Sequence, residues 1–286
     1  MGGGFILKKR FLSLGILIII SLFIWIPLWM MVTGSFMGTQ EINEMIGPVF
    51  SNENKLVTWH LIPDFPTLKP YVELLLDSPN FFVMFWNSCR QVIPGLIGQL
   101  FIAVPAAWSF ARYNFKGKKP LFILYIILMI MPFQVTMVSS YLVLDKFHLL
   151  NTDFALILPT IFSTFPVFIM EKFFKAIPKS LIEAAKIDGA GELKIFFYIG
   201  IPMGASGIIS AIVLGFLEAW NGIEQPLTFL KDKSLWPLSL YLPDISKEKL
   251  GVAMVASVIA MIPAILIFLF GQKYIEQGIA ASGIKE

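Results

Sequence analysis

PKSLIEAAKIDGAGELKIFFYIGIP, Pro178 to Pro202, is the most polar and best-punctuated stretch between two long apolar runs. Ser180 and Glu183 have the S-x-x-E spacing of a capping box, which predicts a helix beginning near Leu181. Gly189 stands where that helix needs a left-handed residue at its C-terminal end. A second helical pattern starts near Glu192 and runs into apolar sequence. The expectation is a short helix, a sharp glycine turn and a second helix, lying at a membrane surface. The small residues Ala184 and Ala185 let such a helix approach another protein closely. An ordinary loop between two membrane helices would share these features, so the rest of the chain has to decide.

The 286 residues have a mean hydropathy of +0.77, with 57% hydrophobic and only 14% charged. A soluble domain carries about 25% charged residues. Several uncharged runs exceed the ~20 residues that cross a bilayer as a helix. The fold class is therefore all-α and polytopic in a membrane. A net charge of +3, without basic residues interleaved with aromatics, gives no footprint for nucleic acid. Cys89 is the single cysteine, so no disulfide forms within the chain. His60 and His148 are far apart in sequence, and no metal site is expected.

Outward from the quoted stretch, the apolar runs predict six spans. They lie at about Leu14–Ser35, Phe82–Phe110, Leu121–Leu142, Phe154–Met170, Ile195–Trp220 and Leu250–Gln272. The first run is longer than the apolar core of a signal peptide and reads as a retained helix. Residues 36–80 form an outer loop with a short surface helix at Tyr71–Asp77. Lys8, Lys9 and Arg10 precede the first span, and Arg112, Lys116, Lys118 and Lys119 follow the second. Segments placed inside carry 14 of the 22 Lys and Arg residues, so both termini are expected in the cytoplasm. The quoted loop, about 173–202, then also faces the cytoplasm. No repeat period or low-complexity tract divides the chain, and residues 1–286 read as one transmembrane domain.

The span centres hold no Asp, Glu, Lys, Arg or His, which argues against proton relays and against a charged substrate gripped at the midplane. No P-loop, H-E-x-x-H or G-x-S-x-G occurs. Chemistry of the chain's own is thus poorly supported. Energy for uphill movement would have to come from another chain, and the exposed inner loop is where a joint to it would lie.

Glu183-Ala184-Ala185, three residues, Gly189, nine residues and Ile199-x-Ile201-Pro202 together resemble the EAA loop of ABC importer permeases. The family pattern has Leu where this chain has Ile201. Asp188-Gly189-Ala190 extends the likeness toward the carbohydrate-uptake, maltose-permease-like branch. FPTLKPYVELL at Phe65–Leu75, the pair Asn87-Ser88, WSFARYNFKGK at Trp108–Lys118 and QGIAASGIKE at Gln277–Glu286 are similar to family segments elsewhere. The likeness covers roughly residues 10–286 and is to the second-permease type.

The resemblance implies a permease of the bacterial plasma membrane that pairs with a second, homologous permease. It implies a cytoplasmic ATPase dimer that receives the loop helix, and an extracellular solute-binding protein that delivers a sugar or oligosaccharide. This chain would hold no cofactor and be no enzyme, since ATP and Mg would sit on the partner ATPase. Glu183, Ala184, Ala185, Asp188, Gly189 and Pro202 are the coupling candidates. Against them, Glu183 reads as a helix cap and Asp188 as a turn residue. Asn87, Gln134, Trp220 and Asn221 are candidates for the substrate pathway. Against those stand an interfacial anchor for Trp220 and interhelical hydrogen bonding for Asn87 and Gln134. The family's W-N-D-F-type pattern is not kept after Asn221, where this chain has Gly222 and Glu224. Rival readings are a permease for a phosphorylated polyol such as glycerol-phosphate, a membrane-embedded enzyme, or a membrane scaffold.

Overall fold

The computed structural model describes residues 3–51, 60–241 and 249–283, with side chains over 11, 13–45, 60–241 and 249–276. The side chains of Lys8, Lys9, Arg10 and of residues 277–283, and residues 284–286 altogether, lie outside that range. Among the described residues the regular structure is helical throughout. Apolar runs in lipid leave a backbone no water to bond, so helices that satisfy their own groups are the form they take.

Four helices are long and apolar enough to cross a membrane, at Ser13–Gly34, Pro79–Arg112, Phe154–Ala176 and Leu250–Glu276. Two more candidates are bent pairs, Lys118–Ile130 with Phe133–Lys146 at 103° and Glu192–Met203 with Ala205–Trp220 at 66°. Counting each pair as one span gives the expected six. The third and fifth spans are thus broken, near Pro132 and just after Pro202. At the first break Met131 is extended (φ −65°, ψ 123°) because Pro132 follows it, and Pro132 starts the next helix. The fourth span runs six residues past the expected Met170, through Ala176.

Packing divides the described chain into two units. The first holds residues up to Phe82 together with 249–261. It contains α1 (Gly3–Gly34), α2 (Thr39–Ser51) and α3 (Lys69–Asp77). The α3 helix confirms the short surface helix, whereas α2 was not foreseen in the outer loop. Met37, Ile42 and Met45 form its buried centre, flanked by Leu250 and Met254. Ser35 and Tyr71 share a 2.9 Å hydrogen bond that pins α3 beneath the end of α1.

The second unit holds 83–241 and the chain from Ile262 onward. In it the body of α4 (Pro79–Arg112) packs against α5 (Lys118–Ile130), α7 (Phe154–Ile161) and α8 (Phe165–Ala176), and α6 (Phe133–Lys146) packs against α7. Ala103, Ala107, Trp108, Val167, Met170, Phe174, Ile195 and Ala211 form one buried core. Trp108 meets Phe174 edge-on, with ring centroids 5.4 Å apart. Ile182, Ala185 and Ala190 of the polar loop pack directly on that core.

Candidate functional site

The chain leaves α8 at Ile177, which is extended (φ −64°, ψ 128°) because Pro178 follows it. Pro178 occupies the cap position of α9 (Lys179–Ile187), and the helix carries no side-chain cap. The expected capping box is therefore corrected. Ser180 already lies within the helix, one residue past its start, and Glu183 is exposed to solvent. The far end follows expectation. Asp188 is the C-terminal cap, and Gly189 adopts φ +81°. Ala190 N–H donates to the Ala185 carbonyl (2.9 Å) and Gly189 N–H to the Lys186 carbonyl (3.0 Å), the paired bonds of a Schellman ending.

α9 is amphipathic. Ile182 and Ala185 rest on the buried core below. Leu181, Glu183, Ala184, Ile187 and Asp188 face outward, and Ile187 is 86% exposed. Of the two alanines, only Ala184 is fully presented to a partner. A bare isoleucine at the tip of a surface helix is an apolar contact left open among the described residues.

Three contacts fix α9 in place. Arg112, at the end of α4, donates its guanidinium to the carbonyls of Phe174 and, at 2.6 Å, Ile177. A cation thereby satisfies the orphaned carbonyls that end α8, one residue before Pro178. Beyond the glycine turn, Glu192 opens α10 (Glu192–Ile195), its carboxylate accepting from Lys186 Nζ at 2.6 Å and from Tyr113 OH at 2.9 Å. The hydrogen bond it donates to Glu192 holds the Lys186 ammonium above the ordinary lysine value. Burial, and then Glu192, push the Tyr113 phenol up as well. Arg112, Tyr113 and Glu192 did not stand out in the sequence as loop supports. Arg112 and Tyr113 stood in the segment after the second span, away from the loop in sequence, and Glu192 only marked the start of the second helical pattern.

After α10 the chain makes one π-helical turn, Phe196–Gly200, before α11 (Ile201–Met203) and α12 (Ala205–Trp220). A Cβ on Gly200 would lie 2.8 Å from the Trp108 ring, so glycine lets this turn sit flat on the indole. Pro202 falls in α11, immediately ahead of the 66° bend at Gly204. It therefore stands at the hinge-like entry to the fifth span.

The substrate-pathway candidates fall around, but not in, a cavity of about 680 Å³ within the second unit. Residues of α4 to α8, α12 and the Gly222–Pro226 stretch line it, and it is open on one side. Asn87 is buried, donating to the Ser234 (2.7 Å) and Trp236 (3.1 Å) carbonyls. Ser88 accepts from Leu238 N–H at 2.8 Å, so the Asn87-Ser88 pair anchors the loop that follows α13 (Glu224–Phe229). Trp220 is buried, stacked on Phe216 with centroids 5.2 Å apart. Asn221 donates to the Leu217 carbonyl at 2.9 Å. Gln134 reaches the cavity indirectly, donating to Glu224 Oε1 at 2.6 Å. The cavity wall itself carries Gln91, Gln99, Thr136, Ser140, Glu218 and Glu224, none of which the sequence singled out as pathway residues.

Residues 99–281 match the family of binding-protein-dependent transport system inner membrane components. A probable ABC transporter permease protein of Pyrococcus horikoshii is 34% identical over 237 residues, 80% of this chain and 85% of that protein. The arabinooligosaccharides transport system permease protein AraQ of Bacillus subtilis is 30% identical over 218 residues, 75% of this chain and 78% of its own length. Among solved structures, a bacterial ABC transporter involved in the import of the acidic polysaccharide alginate superposes with a TM-score of 0.77. It is 20% identical, over 93% of this chain and 96% of the other, and so speaks for the fold. The EAA-like loop, the broken spans and these relatives agree: the chain belongs to the binding-protein-dependent transport system inner membrane components, the multi-pass permeases of ABC transporters.

Proposed function

We propose that this chain is the permease subunit of an ATP-driven importer for a sugar or oligosaccharide handed over by an extracellular binding protein. Both termini lie in the cytoplasm, a second permease completes the pathway, and α9 docks on a separate ATPase that binds ATP and Mg and does the hydrolysis. The observation that carries this reading is the preformed, outward-facing α9, ended by Gly189 and tied down by Arg112, Tyr113 and Glu192. A short helix held at both ends transmits a push as a rigid body, which is what coupling between subunits needs. Glu183, Ala184 and Asp188 form its contact face; Ala185 fixes it to the core; Gly189 and Pro202 set its exit. Relatives named for oligosaccharide transport support carbohydrate as the cargo. A phosphorylated polyol would call for free cations along the path. Arg90, the inward candidate, is engaged by Asp153 at 2.8 Å and by Asn87 at 3.3 Å.

The test is Gly189→Asp in the complete importer. A side chain at φ +81° is strained by roughly 1–2 kcal/mol, and it adds a charge where α9 must dock. Uptake is expected to fall to background while the protein still reaches the membrane. Wild-type uptake by this variant would end the coupling role of the loop.

A further inference from the structure

The cavity in the second unit has a wall of one charge sign. Glu218, exposed on α12, and Glu224 both line it, and no Lys, Arg or His is among its described lining residues. Gln99, Thr136 and Ser140 supply neutral amide and hydroxyl groups, and Phe133 and Phe165 supply flat apolar surface. Gln91 also lines it and is 4% exposed. Its amide nitrogen donates to Asp153 Oδ1 (3.0 Å) and the Leu235 carbonyl (2.8 Å), which fixes the group's orientation. Its carbonyl oxygen is buried with no hydrogen-bond partner.

We infer that this chamber admits neutral or amine-bearing sugar units and turns away uronates, with Glu218 and Glu224 setting that choice. The inference rests on the carbohydrate import proposed above and narrows its substrate class. Glu224 accepts from the neutral Gln134 amide, so its negative charge is not cancelled by that contact. A cleft carrying one sign of charge between low-dielectric walls concentrates ions of the opposite sign and depletes its own. The fold shared with the alginate importer leaves this choice open, because the helices set the chamber's shape and the side chains set its charge.

The experiment reads the chamber's charge and its ligand on one reporter. Ser140→Cys is made in a Cys89→Ser background, in the assembled importer in membrane vesicles. The new thiol is modified with a cationic and an anionic methanethiosulfonate, each rate being corrected by that reagent's rate with free glutathione. The cationic reagent is expected to win by about tenfold, and the advantage to shrink at least threefold in Glu218→Gln/Glu224→Gln. Xylotriose is expected to slow the modification and trigalacturonate to leave it unchanged. A corrected ratio near one in the parent protein, or a ratio untouched by the double substitution, would overturn the inference. So would equal protection by the two trisaccharides. These outcomes are independent of coupling, which the Gly189→Asp uptake assay tests separately.

Discussion

The residues that matter most to the loop do so through backbone geometry. Gly189 was legible in the sequence because only glycine takes a left-handed turn cheaply, and the helix before it needed one. Ser180 and Glu183 misled for an equally local reason. The spacing of a capping box is present, but Pro178 forces Ile177 to be extended and starts the helix at Lys179, which leaves Ser180 inside it. Arg112 was visible only as one of several cations in a basic segment. Its role depends on the end of α8 lying beside the end of α4, a tertiary fact. Two charge-assisted bonds to carbonyls contribute about 2 kcal/mol of local stability. Arg112→Ala is therefore expected to expose residues 173–202 to limited proteolysis and to reduce uptake several-fold with membrane levels retained. Arg112→Lys rescues only part, since an ammonium lacks the planar fork that serves both carbonyls. Unchanged proteolysis in Arg112→Ala would remove this strut from the account.

At the scale of elements, span number and order were legible because uncharged runs of span length admit few other folds. The sharpness of the bends was not. Pro132 and Pro202 mark where the spans can kink, but hydropathy does not distinguish a kinked span from two helices meeting at 103° or 66°. The pathway candidates lie beside the chamber, not on its wall. Asn87, Trp220 and Asn221 have the right chemistry, but each is turned to a carbonyl or a ring of its own unit. The chamber is lined by residues on other turns of the same helices, Gln91 and Glu218 among them. The two faces of α9 give a paired prediction. Ile182→Asp puts a carboxylate against the core and is expected to cut the amount of protein in the membrane sharply. Ile187→Asp alters an 86% exposed side chain. It is expected to leave the amount unchanged while importer-dependent ATP hydrolysis falls at least fivefold. Equal effects on both quantities for the two variants would contradict the division of the helix into an inner and an outer face.

At the scale of the whole molecule, this chain is one part of a larger machine. Its helices shape a chamber, and α9 offers a surface that nothing among the described residues occupies. The central claim is that this surface belongs to a separate ATPase. Ala184→Cys, exposed on α9, in a Cys89→Ser background of the complete importer tests it most directly. A short bismaleimide applied to native membranes should join this thiol to an engineered cysteine on the ATPase, with a yield that changes when ATP is added. The same reagent should give no such product from Ser140→Cys in the chamber. Failure of Ala184→Cys to join the ATPase, in membranes where the subunits co-purify and sugar uptake persists, would contradict the account.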